Sequence, residues 1–235
     1  MWTSFRSPLT QLTRQRQQLL STSDTLPELI QKLLNEPLPE PQTPVQQLDI
    51  LVLDFETSGL DPTQDQVLSM GWVSICSGVI ELKSAHYCLL HQSQTSQETV
   101  VIHQLRPETL ARAGITEQDA FDKLLVAMQG KIVVAHGCVI EKRFFDDYIA
   151  RHFGLSSLPI LWLDTLKIEQ FRQKRSHQPI DWRLSTVRQR LKLPEHSAHH
   201  ALNDAIATAE VYLALIYHLF GRSAAPLEHL LKASA

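Results

Sequence analysis

Residues 50–55 read Ile-Leu-Val-Leu-Asp-Phe, an apolar run interrupted only where it reaches a carboxylate. Both sides of such a segment are apolar when it is extended, so both must be covered, and it is expected as a central strand with layers packed on each face. Asp54 and Glu56 stand two residues apart at its end, which directs both carboxylates to one face of the sheet. Two acids side by side in such a place are costly unless a cation neutralises them. A solvated strand end is the plainer reading, and the apolar residues leading into the pair count against it. Thr57 to Pro62 supplies a turn, with Gly59 placed to let a ligand approach the backbone.

Val67 to Ile75 and Val79 to Leu90 are further strand-like runs joined by Ser77-Gly78, the pattern of a tight hairpin. Helical periodicity covers about 117–128 and 139–152, with a short buried strand at 132–135 between them. Leu158 to Leu163 reads as another strand, ending in Asp164. Ala201, Ala205, Ala209, Leu213 and Ile216 recur at helical spacing in a long final helix over about 200–220. Hairpin strands followed by alternating helix and strand predict an α/β fold with a mixed sheet flanked by helices. Ahead of it lie two amphipathic stretches, 9–20 and 26–34, the second with Asp24 as its N-cap and Pro27 in its first turn. Pro37, Pro39, Pro41 and Pro44 then mark an extended linker. The expected organisation is a helical N-terminal extension and Pro-rich linker over 1–47, a main domain over 48–222 and a C-terminal tail over 223–235.

No apolar run approaches the roughly 20 residues that span a bilayer, and no apolar leader opens the chain, so a soluble cytoplasmic protein with no membrane partner is expected. Arg6, Arg14 and Arg16, with no acid in the first 23 residues, weakly resemble a transit peptide. The helix pattern that continues past them favours an arm packed on the domain or on a partner. Cys76, Cys88 and Cys138 are odd in number and widely spaced, which argues against a disulfide framework and against a zinc site. The net charge of −3 is unpromising for gripping a polyanion. From Phe171 to Lys192, however, Arg172, Lys174, Arg175, Arg183, Arg188, Arg190 and Lys192 stand against the single acid Asp181. That stretch reads either as a phosphate-contacting face or as a solvated basic helix.

Two further acids fall at the ends of later elements, Glu141 after the fourth strand and Asp204 in the long helix, on the stripe of Ala201 and Thr208. Taken singly, either reads as a surface charge. Taken in order with their neighbours, they carry a likeness. Asp54-Phe55-Glu56-Thr57-Ser58-Gly59-Leu60 resembles the first motif of the DEDD exonucleases. His199-His200-Ala201-Leu202-Asn203-Asp204-Ala205 resembles the third motif of their DEDDh subgroup, in which a histidine precedes the last aspartate by five residues, and Ala207-Thr208-Ala209 continues the match. Val134-Ala135-His136-Gly137-Cys138-Val139-Ile140-Glu141 is similar to the second motif, which normally reads His-Asn-x-x-Phe-Asp. The likeness runs over roughly residues 48–220.

That resemblance implies a ribonuclease-H-like fold, a mixed five-stranded sheet of the proofreading-subunit and RNase T type, with residues 48–222 as the exonuclease domain. It implies two divalent cations, Mg2+ or Mn2+, on Asp54, Glu56, Glu141 and Asp204, with His199 as general base. It places Phe55, Thr57 and Leu60 around the terminal nucleotide, the leucine as an apolar wedge and Thr57 near the sugar; His136, read on its own, is expected packed inside or on the substrate side rather than as a ligand. The implied substrate is the 3′ end of a nucleic acid, with DNA expected ahead of RNA although no motif here reads the 2′-hydroxyl that separates them; independently, the N-terminal arm is a candidate dock for a replication or repair partner. Glu141 and Gly137 depart from the pattern, which usually has aspartate and asparagine there. The longer acid shifts the second cation or holds it through water, with Asp146 and Asp147 as fallback ligands.

The chemistry agrees with these residue types. Phosphodiester hydrolysis needs an activated water, stabilised phosphoryl oxygens and help for the departing 3′ oxygen, which two cations about 4 Å apart can supply. Hard carboxylate oxygens suit such ions, and a neutral imidazole suits proton removal from water. His196 and His200 invite a zinc reading that no fourth ligand supports. The competing function, motivated by Glu141 and Gly137, is a nucleic-acid-binding or partner-docking module with weakened catalysis.

Overall fold

The computed structural model describes residues 7–22, 26–91, 114–174 and 180–235, and Arg6, Asp24 and Arg175 lie outside them. The apolar run becomes β1, Ile50–Thr57, at the centre of a five-stranded sheet of order β3-β2-β1-β4-β5. Here β2 is Val67–Cys76, β3 Val79–Leu89, β4 Ile132–Ala135 and β5 Trp162–Asp164. β1 pairs antiparallel with β2 and parallel with β4, while β2 pairs antiparallel with β3 and β4 parallel with β5. Ser77 and Gly78 both have positive φ, 50° and 74°, which a two-residue hairpin turn of the favoured twist requires.

Among the described residues eight α-helices flank the sheet. They are α1 Pro8–Thr22, α2 Glu28–Asn35, α3 Glu117–Met128, α4 Val139–Phe153, α5 Thr165–Arg172, α6 Leu184–Arg190, α7 Ala201–Phe220 and α8 Leu227–Ala233. Strand alternation divides β1 between two cores. Leu51, Leu53 and Phe55 pack with residues of α2, α3 and α4, whereas Ile50 and Val52 pack beneath α7. Asp54 and Glu56 continue the second set, so the face that α7 covers turns from aliphatic to acidic at one end.

How closely α7 sits is decided by Gly71 of β2, the residue opposite Asp54. A methyl group at that position would overlap backbone atoms of Ala201 and Leu202. The first turn of α7 therefore rests on bare strand backbone, and that brings Asp204 down to the acidic end of β1.

The apolar run at 158–163 forms less strand than expected, because only Trp162–Asp164 pairs with β4. Pro159 has no N–H for a ladder, and its carbonyl accepts Arg16 Nε at 2.9 Å. The N-terminal arm is packed on its own domain. Ile30, Leu33 and Leu34 of α2 are buried in the same core as Leu51 and Leu53, and Arg16 of α1 is buried with Nη1 donating to Glu36 O at 2.7 Å. The Pro-rich stretch is docked: Val45 N donates to Ala225 O and Leu227 N to Thr43 O, each at 2.9 Å. Within 223–235, α8 packs on the domain, with Leu227 and Leu230 fully buried and Ser234 Oγ accepting Asp164 N at 2.8 Å. The three cysteines are free thiols, and no helix among the described residues is long and apolar enough to cross a membrane.

Two outcomes follow from this packing. Ile30→Ala should cost about 2–5 kcal/mol in urea unfolding, whereas an unpacked arm would leave the midpoint unchanged. Gly71→Ala should cost about 1–3 kcal/mol by overpacking, and the same titration measures it.

Candidate active site

Asp54 and Glu56 leave β1 on the α7 side, and Asp204 enters from the first turn of α7. Each offers an oxygen within 4.8 Å of the others, so three carboxylates meet at one point. Glu56 and Asp204 are buried and Asp54 half-buried. Ala201 and Thr208, on the same stripe as Asp204, are also buried, as the helical spacing predicted. Glu141, in the first turn of α4, is buried beside this group but outside the three-carboxylate knot. Its Oε2 is buried with no hydrogen-bond partner.

The electrostatics follow from that crowding. Burial first, then repulsion from Glu141, Asp204 and Glu56, raises the Asp54 carboxyl well above its ordinary range. Glu56 is pushed up to about 7 by burial and then Asp204, with His199 opposing. Glu141 is raised chiefly by burial and further by Asp164 and Glu56, against its own backbone N–H. Such a cluster cannot ionise fully on its own. Converging hard oxygens, an unpartnered buried carboxylate oxygen and unrelieved negative charge together fit divalent cations of the Mg2+ or Mn2+ type.

The third motif is organised around one carboxylate. Asp204 Oδ2 accepts the backbone N–H of His199 at 2.8 Å and of His200 at 3.3 Å, while Oδ1 accepts from His196 Nε2 at 2.8 Å. His199 has φ +65°, an uncommon conformation for a side-chain-bearing residue and one held here by the bond to Asp204. Its ring is exposed and close enough to Glu56 to act on its charge. The His200 ring stacks on Tyr87 of β3 at 4.3 Å between centroids, and Tyr87 is the residue opposite Gly71. Neither His196 nor His200 belongs to a zinc-type ligand set among the described residues.

The second motif explains one of its own departures. Gly137 has φ +75°, a left-handed conformation that asparagine and glycine tolerate better than most residues. Its N–H donates to Asp164 Oδ1 at 2.8 Å, and the same oxygen caps α5 through Leu166 N at 2.9 Å. Asp164 was not anticipated as part of the site. Its buried carboxylate fixes the turn that carries Glu141, and an aspartate just ahead of a helix is the signal that could have revealed it.

Several expected roles need correction. Phe55 points away from the acids into the opposite core, edge-on to Phe121 at 6.1 Å, so its side chain cannot reach a nucleotide. His136 takes the packed one of its two expected placements: Nδ1 pairs with Thr165 Oγ1 at 2.9 Å and Nε2 with Trp182 O at 2.8 Å. A methyl on Gly59 would meet the carboxylate of Asp65, which is bonded to Ser58 Oγ and Asp61 N. Thr57 Oγ1 donates to Gly59 O at 2.7 Å, and Leu60 is 67% exposed beside the acids' strand. Asp147 is committed to Arg151 at 2.6 Å and is no fallback ligand, while Asp146 is half-buried on α4. Among the described cations of the basic stretch, Arg172 and Arg190 pair with the buried Glu169, Arg188 with Glu210, and Arg183 with Asp181 at the surface.

A family model described as exonuclease, RNase T, matches residues 51–212. The PolC-type DNA polymerase III of Thermotoga petrophila is 30% identical over 71% of this chain, which spans only 12% of that protein's length. The DNA polymerase III subunit epsilon of Rickettsia prowazekii is 26% identical over 70% of this chain and 72% of its own. Among solved structures, exonuclease X in complex with 5′ overhanging duplex DNA superposes with a TM-score of 0.58 at 19% identity, over 79% of this chain and 99% of that one. Exonuclease I gives 0.63 at 17% identity, over 73% and 41%. The mixed five-stranded sheet is thus that of the ribonuclease-H-like exonucleases, and with the family model spanning the whole stretch from β1 into α7, this chain belongs to the DnaQ-like exonuclease family.

Proposed function

We propose that this protein is a 3′–5′ exonuclease of the DEDDh type that hydrolyses the terminal phosphodiester bond of single-stranded DNA and releases nucleoside 5′-monophosphates. The observation that carries this reading is the convergence of Asp54, Glu56 and Asp204 with the exposed His199 at their edge. Asp54, Glu56 and Asp204 would hold one divalent cation, and Asp54 with Glu141, directly or through water, a second. Bound there, the cations would lower the pKa of water and neutralise charge on the phosphoryl oxygens.

His199 takes the proton of the attacking water as that oxygen bonds to phosphorus and the bond to the 3′ oxygen breaks. Its exposure lets it reach solvent water, and the backbone link to Asp204 keeps it beside the acids. Leu60 stacks against the terminal base, a contact that tolerates any sequence. Since Arg172, Arg188 and Arg190 are engaged by Glu169 and Glu210, they are not offered to phosphates, as suits an enzyme that holds only a few nucleotides at a strand end.

Cleavage is tested with a 3′-shortening assay on a 5′-labelled single strand in Mn2+. Asp54→Ala should slow it roughly 100- to 1000-fold, the scale for losing one preorganised charged group at a reacting centre. Wild-type protein that leaves the strand intact, while still taking up Mn2+, would favour the binding-module alternative. A matched RNA strand in the same assay decides the sugar preference.

The raised carboxyls also set a pH dependence. Glu56 ordinarily titrates near 4.5 and in the fold near 7, so between those values the native state holds more protons than the unfolded one. Metal-free stability should then fall as pH rises from about 5 to 8, with Asp54 and Glu141 acting in the same direction. Mn2+ should raise the melting temperature more at pH 8 than at pH 5, because protons compete with the cation. A pH-independent Mn2+ effect would show that these carboxyls are not its ligands.

A further inference from the structure

We infer that His196 is a positioning residue for Asp204, fixing which carboxylate oxygen is presented to a divalent cation. The inference rests on the nuclease reading above and adds a residue to it. His196 Nε2 lies 2.8 Å from Asp204 Oδ1, and the two side chains are only 11% and 12% exposed. A carboxylate accepts at about four lone-pair positions. Oδ2 already receives two backbone N–H groups, from His199 and His200. Oδ1 receives the His196 N–H, which leaves it one free direction. Asp204 is thereby restricted to binding a cation through Oδ1 alone, at an angle set by the imidazole.

The donor is itself held. Arg188 is buried, with Nη2 donating to Pro194 O and Nη1 to Ala207 O, both at 2.8 Å, and it pairs with Glu210 at 2.7 Å. That ties the chain to α7 two residues before His196. On the other side, His200 is stacked on Tyr87. Between these two anchors the imidazole has little freedom, as an outer partner that orients a metal-ligating carboxylate requires.

Three substitutions in the full chain separate this role from packing, with Mn2+ affinity by calorimetric titration and metal-free melting as readouts. Gln places its amide nitrogen where His carries Nε2, whereas Asn places it where His carries Nδ1. His196→Ala and His196→Asn should weaken Mn2+ binding about 10- to 100-fold, while His196→Gln keeps the wild-type affinity. Metal-free melting should follow a different order, because all three lose ring packing. Equal Mn2+ affinity in all four proteins, or a loss in H196Q as large as in H196N, would overturn the role of His196 and leave the nuclease reading standing. A wild-type chain that takes up no Mn2+ would overturn both. Where H196A does not fold, the H196N and H196Q pair decides.

Discussion

The first turn of α7 lies on a strand position that has no side chain, and the site exists because of that contact. Gly71 stands opposite Asp54 in the sheet, so the point of closest helix approach coincides with the first acid of β1. A larger residue would lift the helix, and Asp204 with it, out of reach of Asp54 and Glu56. One missing methyl group thus couples the packing of the largest helix to the convergence of three carboxylates. The Tyr87–His200 stack extends the same contact one strand further, since Tyr87 pairs with Gly71 on its other side.

The charge on this face is the counterpart of that closeness. Ile50 and Val52 lie under α7 as ordinary core, and the next two residues of the same stripe are acids. Without a cation they resist ionisation, as the upward shifts of Asp54, Glu56 and Glu141 express. A sheet face that continues from aliphatic to anionic without leaving the interior makes sense only if something positive completes it. The backbone N–H groups of His199 and His200 and the ring of His196 provide part of that complement for Asp204. Glu141 Oε2 has none.

What could be read from sequence was what local pattern encodes. The apolarity of 50–55 located the central strand, and the two-residue period located the shared face of Asp54 and Glu56. Helical spacing put Asp204 on the buried stripe. The short helices α5, α6 and α8 were not anticipated, because segments of seven or eight residues gain their stability from tertiary packing rather than from their own propensity. The role given to Phe55 failed for a simpler reason. Motif likeness carries residue identity along the chain, whereas the alternation that directs Asp54 and Glu56 to the site must direct Phe55 away from it. The Asp204–His196 bond was not legible because it depends on the path of a loop between its anchors.

The basic stretch is the case in which composition pointed one way and geometry another. Counted from Phe171, it holds a single acid. The partners that matter lie just outside that window: Glu169, two residues earlier, takes Arg172 and Arg190, and Glu210, on α7, takes Arg188. Arg190 also donates to Asp181 O at 2.7 Å and lies over the Trp182 ring at 5.4 Å, and Trp182 O accepts from His136. These cations therefore stitch α5, α6 and the 181–182 turn to β4 beneath the second motif. Placed inside the protein, guanidinium groups act as multidentate cross-links for carbonyls and carboxylates. Their work is to hold His136, Gly137 and Asp164 in the arrangement from which Glu141 reaches the site, so the positive charge of this stretch serves the acids indirectly, through the backbone that carries one of them.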